Sequence, residues 1–287
     1  MSHFGVVGLQ LILENKNNLE TIEQEIRKVR SLFPWADMVV GSELNLLGSN
    51  TDNACELPGE VEKRLCQIAQ ENALWLMPGT LFEKSGSKVY NTALVINPDG
   101  EVVTRYRKMF PFQPYEKGVT EGDQWAVFDI PDVGRFGVSI CYDMWFPETT
   151  RTLAWMGAEV IIHPTLTGTI DRNVELAIAR SNAAINQCYF VDINGAGNLG
   201  TGQSVIIGPG GEVIHQAGRS REIIAVELDL NHVRHCRERG WQGLGQPLKS
   251  FRDNQVEFPP YQPSALSPAL NDLGPLAMPD ASSSQVG

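Results

Sequence analysis

The spacing of apolar residues changes repeatedly over the first 240 residues. Phe4 to Leu13 is almost continuously apolar and reads as a buried strand. Leu19, Ile22, Ile26, Val29 and Phe33 then recur at helical spacing, with Asn17 or Asn18 placed to cap the helix. Asp37 to Ser42 reads as a second strand, and Val61, Leu65, Ile68 and Ala69 mark a second helix. Leu74 to Phe82 is a strand in which Pro78 predicts an edge or an irregularity. Val89 to Ile96 and Glu101 to Tyr106 flank Pro98-Asp99-Gly100 as a hairpin.

The alternation resumes after a loop rich in proline, glycine and aromatics, Met109 to Gln124. Strands are expected at Trp125 to Ile130, Phe136 to Ile140, Glu159 to His163 and Cys188 to Ile193. Pro147 suits the first turn of a helix ending near Gly157, and Asp171 is placed to cap a helix from Asn173 to Asn186. Val205 to Ile207 and Glu212 to His215 form a further hairpin, Ile223 to Leu228 a last strand, and a short helix starts near Asn231. The stretch from Val95 to Val103 is echoed by Ile206 to Ile214, each with a Pro-x-Gly-Glu turn. Two similar helix–strand–hairpin halves predict an α/β fold with pseudo-symmetric halves, two sheets packed together and helices outside. From about Gly240 the chain becomes proline-rich and loses its periodicity. Residues 241–287 cannot build a core and are expected to wrap over the body or a neighbouring subunit, with the Ser282 to Ser284 end mobile.

Composition narrows the functional classes. The 287 residues are 42% hydrophobic and 20% charged, ordinary for a folded protein. A net charge of −11 repels phosphate backbones and anionic membranes, which excludes nucleic acid as an expected partner. No apolar run reaches bilayer length. The N-terminus lacks a basic flank and reads as a strand rather than a signal peptide, so the cytoplasm is the expected compartment. Five cysteines, at 55, 66, 141, 188 and 236, are odd in number, widely spaced and without C-x-x-C, against a disulfide framework or a zinc site.

Three ionisable residues fall where apolar strands end: Glu43, Lys108 and Cys141. Strand ends are where layered α/β folds gather their sites. Cys141 precedes a helix, and a thiolate there would be stabilised by backbone N–H groups or a nearby cation. Lys108 would supply that cation and later hold an oxyanion. Burial of Glu43 would raise its pKa toward that of a general base. Taken singly, each has a plainer reading: a core cysteine, a solvated lysine, a structural ion pair.

Taken together, Ser42-Glu43-Leu44, Tyr106-Arg107-Lys108 and Cys141-Tyr142-Asp143-Met144-Trp145-Phe146-Pro147-Glu148 resemble the nitrilase superfamily of carbon–nitrogen hydrolases. Tyr90-Asn91-Thr92, Asn97-Pro98-Asp99-Gly100 and Asn182-Ala183-Ala184 through Gly195 support the resemblance, which runs from Phe4 to about Leu230. It implies a four-layer α-β-β-α sandwich, a carbon–nitrogen hydrolase domain over residues 1–240, even-numbered homo-oligomers and a Glu43–Lys108–Cys141 triad. It also implies a second glutamate in the loop after the lysine, which Glu116 matches. The loop from Pro111 to Glu116 looks like the aliphatic amidase and formamidase branch, and the nucleophile segment like small amidases. True nitrilases usually carry Cys-Trp-Glu there, and Gly41-Ser42 departs from the proline many members have before the glutamate.

The implied reaction is attack by Cys141 on a small primary amide, passage through a thioester, and release of acid and ammonia without metal or organic cofactor. Tyr142, Trp145, Phe146 and Tyr115 are candidate substrate contacts, and the resemblance adds Thr165 and Leu166 on the acyl side. Nitrile or N-carbamoyl amine hydrolysis with the same triad, a Cys–His enzyme using His163 or His215, and a catalytically silent oligomeric scaffold remain as alternatives.

Overall fold

The first strand, β1 (His3–Gln10), is buried on both faces, as its near-continuous apolar run requires. A computed structural model describes residues 3–262 and 267–278; the Ser282 to Ser284 end lies outside them. Helix α1 (Leu19–Leu32) buries Ile22, Ile26 and Val29. Of its two candidate caps, Asn17 does the work: its side-chain oxygen accepts the Leu19 N–H at 3.0 Å. Asn18 turns inward and donates to the carbonyls of Glu14, Lys16 and Asn45. Strand β2 (Met38–Val40) and helix α2 (Glu60–Asn72) follow. The single strand expected from Leu74 to Phe82 is two, β3 (Trp75–Met77) and β4 (Thr80–Ser85). Pro78 has no N–H to offer a ladder, and Gly79, at φ +114°, turns the chain between them. Strands β5 (Lys88–Ile96) and β6 (Val102–Arg107) form the first hairpin.

The second half repeats the plan. It contains β7 (Ala126–Ile130), β8 (Gly134–Val138), α3 (Pro147–Trp155), β9 (Val160–Thr165), α4 (Arg172–Asn186), β10 (Tyr189–Asn194), β11 (Val205–Ile207) and β12 (Val213–Gln216). Strand β13 (Glu222–Asp229) and helix α5 (Leu230–Arg239) close the body. Asp171 does not cap α4 through its side chain, which accepts a bond from the Thr169 hydroxyl instead; its carbonyl takes the N–H groups of Val174 and Glu175.

Strands β1, β2 and β3 run parallel, as do β8, β9 and β10. Each trio is flanked by an antiparallel strand, β13 or β7, and continues into an antiparallel hairpin, β5–β6 or β11–β12. The two sheets pack face to face through Phe4, Val6, Met38 and Val40 against Phe136, Val138, Val160 and Ile162. Alternate residues point the other way: Val7, Leu9 and Val39 meet α1 and α2, while Ile161 and Phe190 meet α3 and α4. The architecture is therefore the four-layer α-β-β-α sandwich.

Beyond α5 the tail carries α6 (Pro247–Asp253) and α7 (Pro268–Asn271). Phe251 stands edge-on to Trp155 of α3 at 5.7 Å and lies under the Arg151 guanidinium. The Tyr261 hydroxyl donates to Glu148 at 3.0 Å. The tail thus lies along the helix that follows the nucleophile segment.

Candidate active site

Parallel strands deliver their C-terminal ends to one edge of a sheet. Glu43 lies just past β2, and Cys141 just past β8. Strand β6 reaches the same edge because it reverses β5, which itself reverses β3, so Lys108 arrives there too. The two sheets are tied at this edge by a backbone bond from Glu43 N–H to the carbonyl of Thr165, at the end of β9.

Lys108 is 1% exposed and Glu43 2% exposed. The Lys108 Nζ donates to Glu43 Oε1 at 2.8 Å and to Glu116 Oε2 at 2.8 Å. Asn91 Nδ2 donates to the same Glu43 oxygen at 2.7 Å, and the Lys108 N–H bonds the Asn91 carbonyl. The Phe112 N–H donates to Glu116 Oε2. Cys141 stands close enough to the Glu43 carboxylate and the Thr165 side chain for both to act on the charge of its sulfur. Cys141 has φ +46°, a strained value for a residue with a Cβ, at the head of a short 3-10 turn, Cys141–Trp145.

Charge at the sulfur differs from the sequence expectation. Burial and the Glu43 carboxylate push the thiol well above its ordinary range, Lys108 opposes them, and Glu175 adds to the rise. Burial first, and the Glu43 carboxylate next, favour the protonated thiol over the thiolate. Burial also raises Glu43 above its ordinary value, against the pull of Lys108. For Lys108, burial favours the neutral amine, but the carboxylates of Glu43 and Glu116 hold it charged.

Asp143 ties these parts together. Its buried carboxylate accepts bonds from the Tyr106 hydroxyl (2.7 Å), the Ile140 N–H (2.8 Å) and the Phe110 N–H (2.9 Å). It therefore joins the residue before Cys141 to residues on both sides of Lys108. Burial raises it to about 6. Asp143 and Asn91 are the residues that sequence reasoning passed over; both stood in quoted motifs, but nothing local to them told of their partners.

Cys141 borders two cavities. The larger, about 360 Å³, is lined by Glu43, Lys108 and Glu116 together with Leu44, Phe82, Tyr115 and Val119. The smaller, about 70 Å³, is lined by Tyr142, Trp145, Thr167, Thr169, Asp171 and Glu175. Phe112 and Leu166 line both. Of the expected substrate contacts, Tyr115, Tyr142 and Trp145 therefore face a cavity, and Phe146 and Thr165 border neither. Phe146 stacks on Phe110 at 3.8 Å, and Thr165 is fully buried behind the sulfur. His163 is held by Ser139 at 2.7 Å through Nδ1, and burial with the charges of Arg172 and Lys108 pushes it down to about 3. A ring so hard to protonate is a poor base. His215 pairs with Glu222 on the β12–β13 side.

A thiol, an ammonium and two carboxylates meet at one edge of an α-β-β-α sandwich. The carbon-nitrogen hydrolase family model matches residues 5–238, and the chain belongs to that family, in the amidase branch of the nitrilase superfamily. It is 32% identical over 200 residues to the omega-amidase NIT2 of Homo sapiens, covering 64% of this chain and 71% of that protein. Among solved structures, Nit3 of Saccharomyces cerevisiae superposes with a TM-score of 0.76 at 28% identity, covering 83% of this chain and 94% of that one. A carbon-nitrogen hydrolase from Helicobacter pylori G27 also gives 0.76, at 26% identity, covering 88% and 96%. The chain is an amidase-type hydrolase.

Proposed function

We propose that this enzyme hydrolyses a small primary amide to acid and ammonia through a thioester on Cys141. The observation that carries the reading is the Lys108 ammonium bridging Glu43 and Glu116 at 2.8 Å each, beside the buried thiol. Glu43 accepts the thiol proton as sulfur attacks the carbonyl carbon. The Lys108 ammonium has three donors, two of them engaged by carboxylates; the third, with the Tyr142 backbone N–H, holds the oxyanion. Glu43 returns the proton to the leaving nitrogen, the C–N bond breaks and ammonia departs. Water, deprotonated by Glu43, then attacks the thioester carbon, the C–S bond breaks, and Glu43 passes the proton to the departing Cys141 sulfur. Glu116 keeps Lys108 in place. Tyr115, Tyr142 and Trp145 contact the substrate, and Phe146 supports Tyr142 edge-on at 5.3 Å.

In this reading residues 1–240 are the catalytic unit, and the tail from 241 braces it. The enzyme works in the cytoplasm, where its five free cysteines stay reduced; no helix of the described residues is long and apolar enough to cross a membrane. It assembles as an even-numbered homo-oligomer, supported by the exposed Trp155, Ile170, Val174 and Ile185 on and beside α3 and α4.

The test is ammonia release from a panel of simple amides, with a nitrile and an N-carbamoyl amine alongside, coupled to intact-mass measurement. Amide turnover that disappears in Cys141→Ala and Lys108→Ala, with an acyl adduct on Cys141, is the expected result. Turnover confined to the nitrile or carbamoyl compound would move the reading to those substrates. No turnover and no adduct across the panel would leave a scaffold.

A further inference from the structure

The sulfur of Cys141 stands at the junction of two unequal chambers, and the rims they share are the side chains of Phe112 and Leu166. The Phe112 ring is fixed from two sides, stacked on Tyr115 at 4.8 Å and tilted against Tyr142 at 4.9 Å. Its backbone N–H is anchored on Glu116. The partition is thus braced by the wall of each chamber.

The chambers differ in size and in chemistry. The larger, about 360 Å³, sets apolar walls from Leu44, Phe82 and Val119 opposite the polar residues Ser49, Asn50, Thr51 and Lys117, and has room for a chain of several carbons. The smaller, about 70 Å³ against about 360 Å³, has room only for a compact group. Its lining is rich in acceptors. Glu175 accepts Thr167 Oγ1 at 3.0 Å and Trp145 Nε1 at 3.5 Å on one carboxylate oxygen and Arg172 at 3.2 Å on the other, which leaves acceptor capacity on the second oxygen. Thr169 and Asp171, whose side chains bond each other at 2.9 Å, border the same space, and no lysine, arginine or histidine does.

We propose that the two chambers read the α-carbon of the acyl group: the chain lies in the larger chamber, and the smaller one takes a compact α-substituent that donates hydrogen bonds, a hydroxyl or an amino group. The inference rests on the amidase reading above and adds the substrate class, an α-hydroxy or α-amino primary amide of one configuration. Once oxyanion and leaving nitrogen are fixed on the Lys108 and Glu43 side, exchanging hydrogen and substituent at the α-carbon drives the substituent into the Phe112–Leu166 partition. The mirror-image substrate is then refused on steric grounds.

The experiment measures kcat/KM for the two enantiomers of 2-hydroxyhexanamide, for the enantiomers of 2-methylhexanamide and for unbranched hexanamide. The expected result is a preference of about tenfold or more for one 2-hydroxy enantiomer, the range one misplaced group costs in a fitted pocket. That enantiomer should also exceed both 2-methyl compounds. In Phe112→Ala and Leu166→Ala the enantiomer ratio should fall toward one, a quantity that loss of folded enzyme does not change. A ratio near one in the unaltered enzyme, with hexanamide turned over, overturns the proposal. So does a large ratio that both variants leave intact, or a preference for methyl over hydroxyl. Failure of hexanamide and of every simple amide is instead failure of the amidase reading, and the proposal falls with it.

Discussion

At the residue scale the decisive quantity is the charge around one sulfur. Burial and the Glu43 carboxylate favour the protonated thiol against the pull of Lys108, and in the proposed mechanism Glu43 removes that proton. Activity therefore needs Glu43 ionised. Because burial raises its pKa above the ordinary 4.5, kcat/KM should fall as pH drops through a midpoint above that value. Lys108 stays charged far above neutrality, so no basic limb should appear below about pH 9. A pH–rate profile from pH 4 to 9.5 checks both limbs; an acid limb at or below 4.5 would contradict the burial argument. Glu43→Gln keeps the shape and removes the base, with an expected loss on the order of a hundredfold to ten-thousandfold in kcat/KM. His163→Ala, by contrast, should leave the position of the acid limb unchanged.

At the element scale, strand ends place the groups, and close packing keeps them there. A Cβ on Gly41 would sit 2.1 Å from the Pro78 carbonyl oxygen and 2.5 Å from Asn45 Nδ2. Gly41→Ala must push β2 away from the β3–β4 turn and displace Glu43 with it. The expected cost is about 1–3 kcal/mol of stability, read as a lowered Tm, with a drop in kcat. This glycine, where the resemblance leads one to expect proline nearby, is thus a packing requirement of the turn opposite. Asp143 fastens the nucleophile turn to the end of β6. Asp143→Asn puts an amide donor among three donors, and a misplaced nucleophile costs on the order of a hundredfold in rate. Its pH dependence has a definite sign. The carboxyl pKa is raised in the folded state to about 6 from 3.8, so the folded enzyme binds the extra proton and this group's contribution to stability declines as pH rises through about 4 to 6. The Tm of Asp143→Asn relative to the unaltered enzyme should accordingly improve from pH 4 to pH 7. A relative Tm that worsens over that range would show that the three hydrogen bonds outweigh burial.

At the scale of the whole molecule, two half-folds of the same plan back onto each other, and the site lies where their strand ends meet. The tail touches α3 and lines neither cavity around Cys141. Phe251→Ala removes the contacts to Trp155 and Phe258 and should lower stability by about 1 kcal/mol, measured by urea denaturation, with KM for a simple amide unchanged. A KM shift would tie the tail to substrate binding. The oligomer proposed from the exposed α3–α4 residues is checked by light scattering, which should return an even multiple of the chain mass.

Much of the architecture could be read from residue order alone. Period-2 and period-3.6 runs locate the strands and helices, and the repeated Pro-x-Gly-Glu turns disclose the two halves, because such patterns record which side of each element is buried. The ends of apolar strands also marked Glu43, Lys108 and Cys141, since a charged residue following a buried run needs a partner. The break at Pro78-Gly79, the inward turn of Asn18 and the Asp171 side chain bonding Thr169 were hidden, because each depends on groups far along the chain or on one turn's dihedral angle. Charge balance at the sulfur, the clasp made by Asp143 and the division of the cavity by Phe112 and Leu166 arose only with the tertiary structure. Each is a sum of distances between segments that sequence order leaves dozens of residues apart, and distance sets both a Coulomb energy and the room left for a substrate.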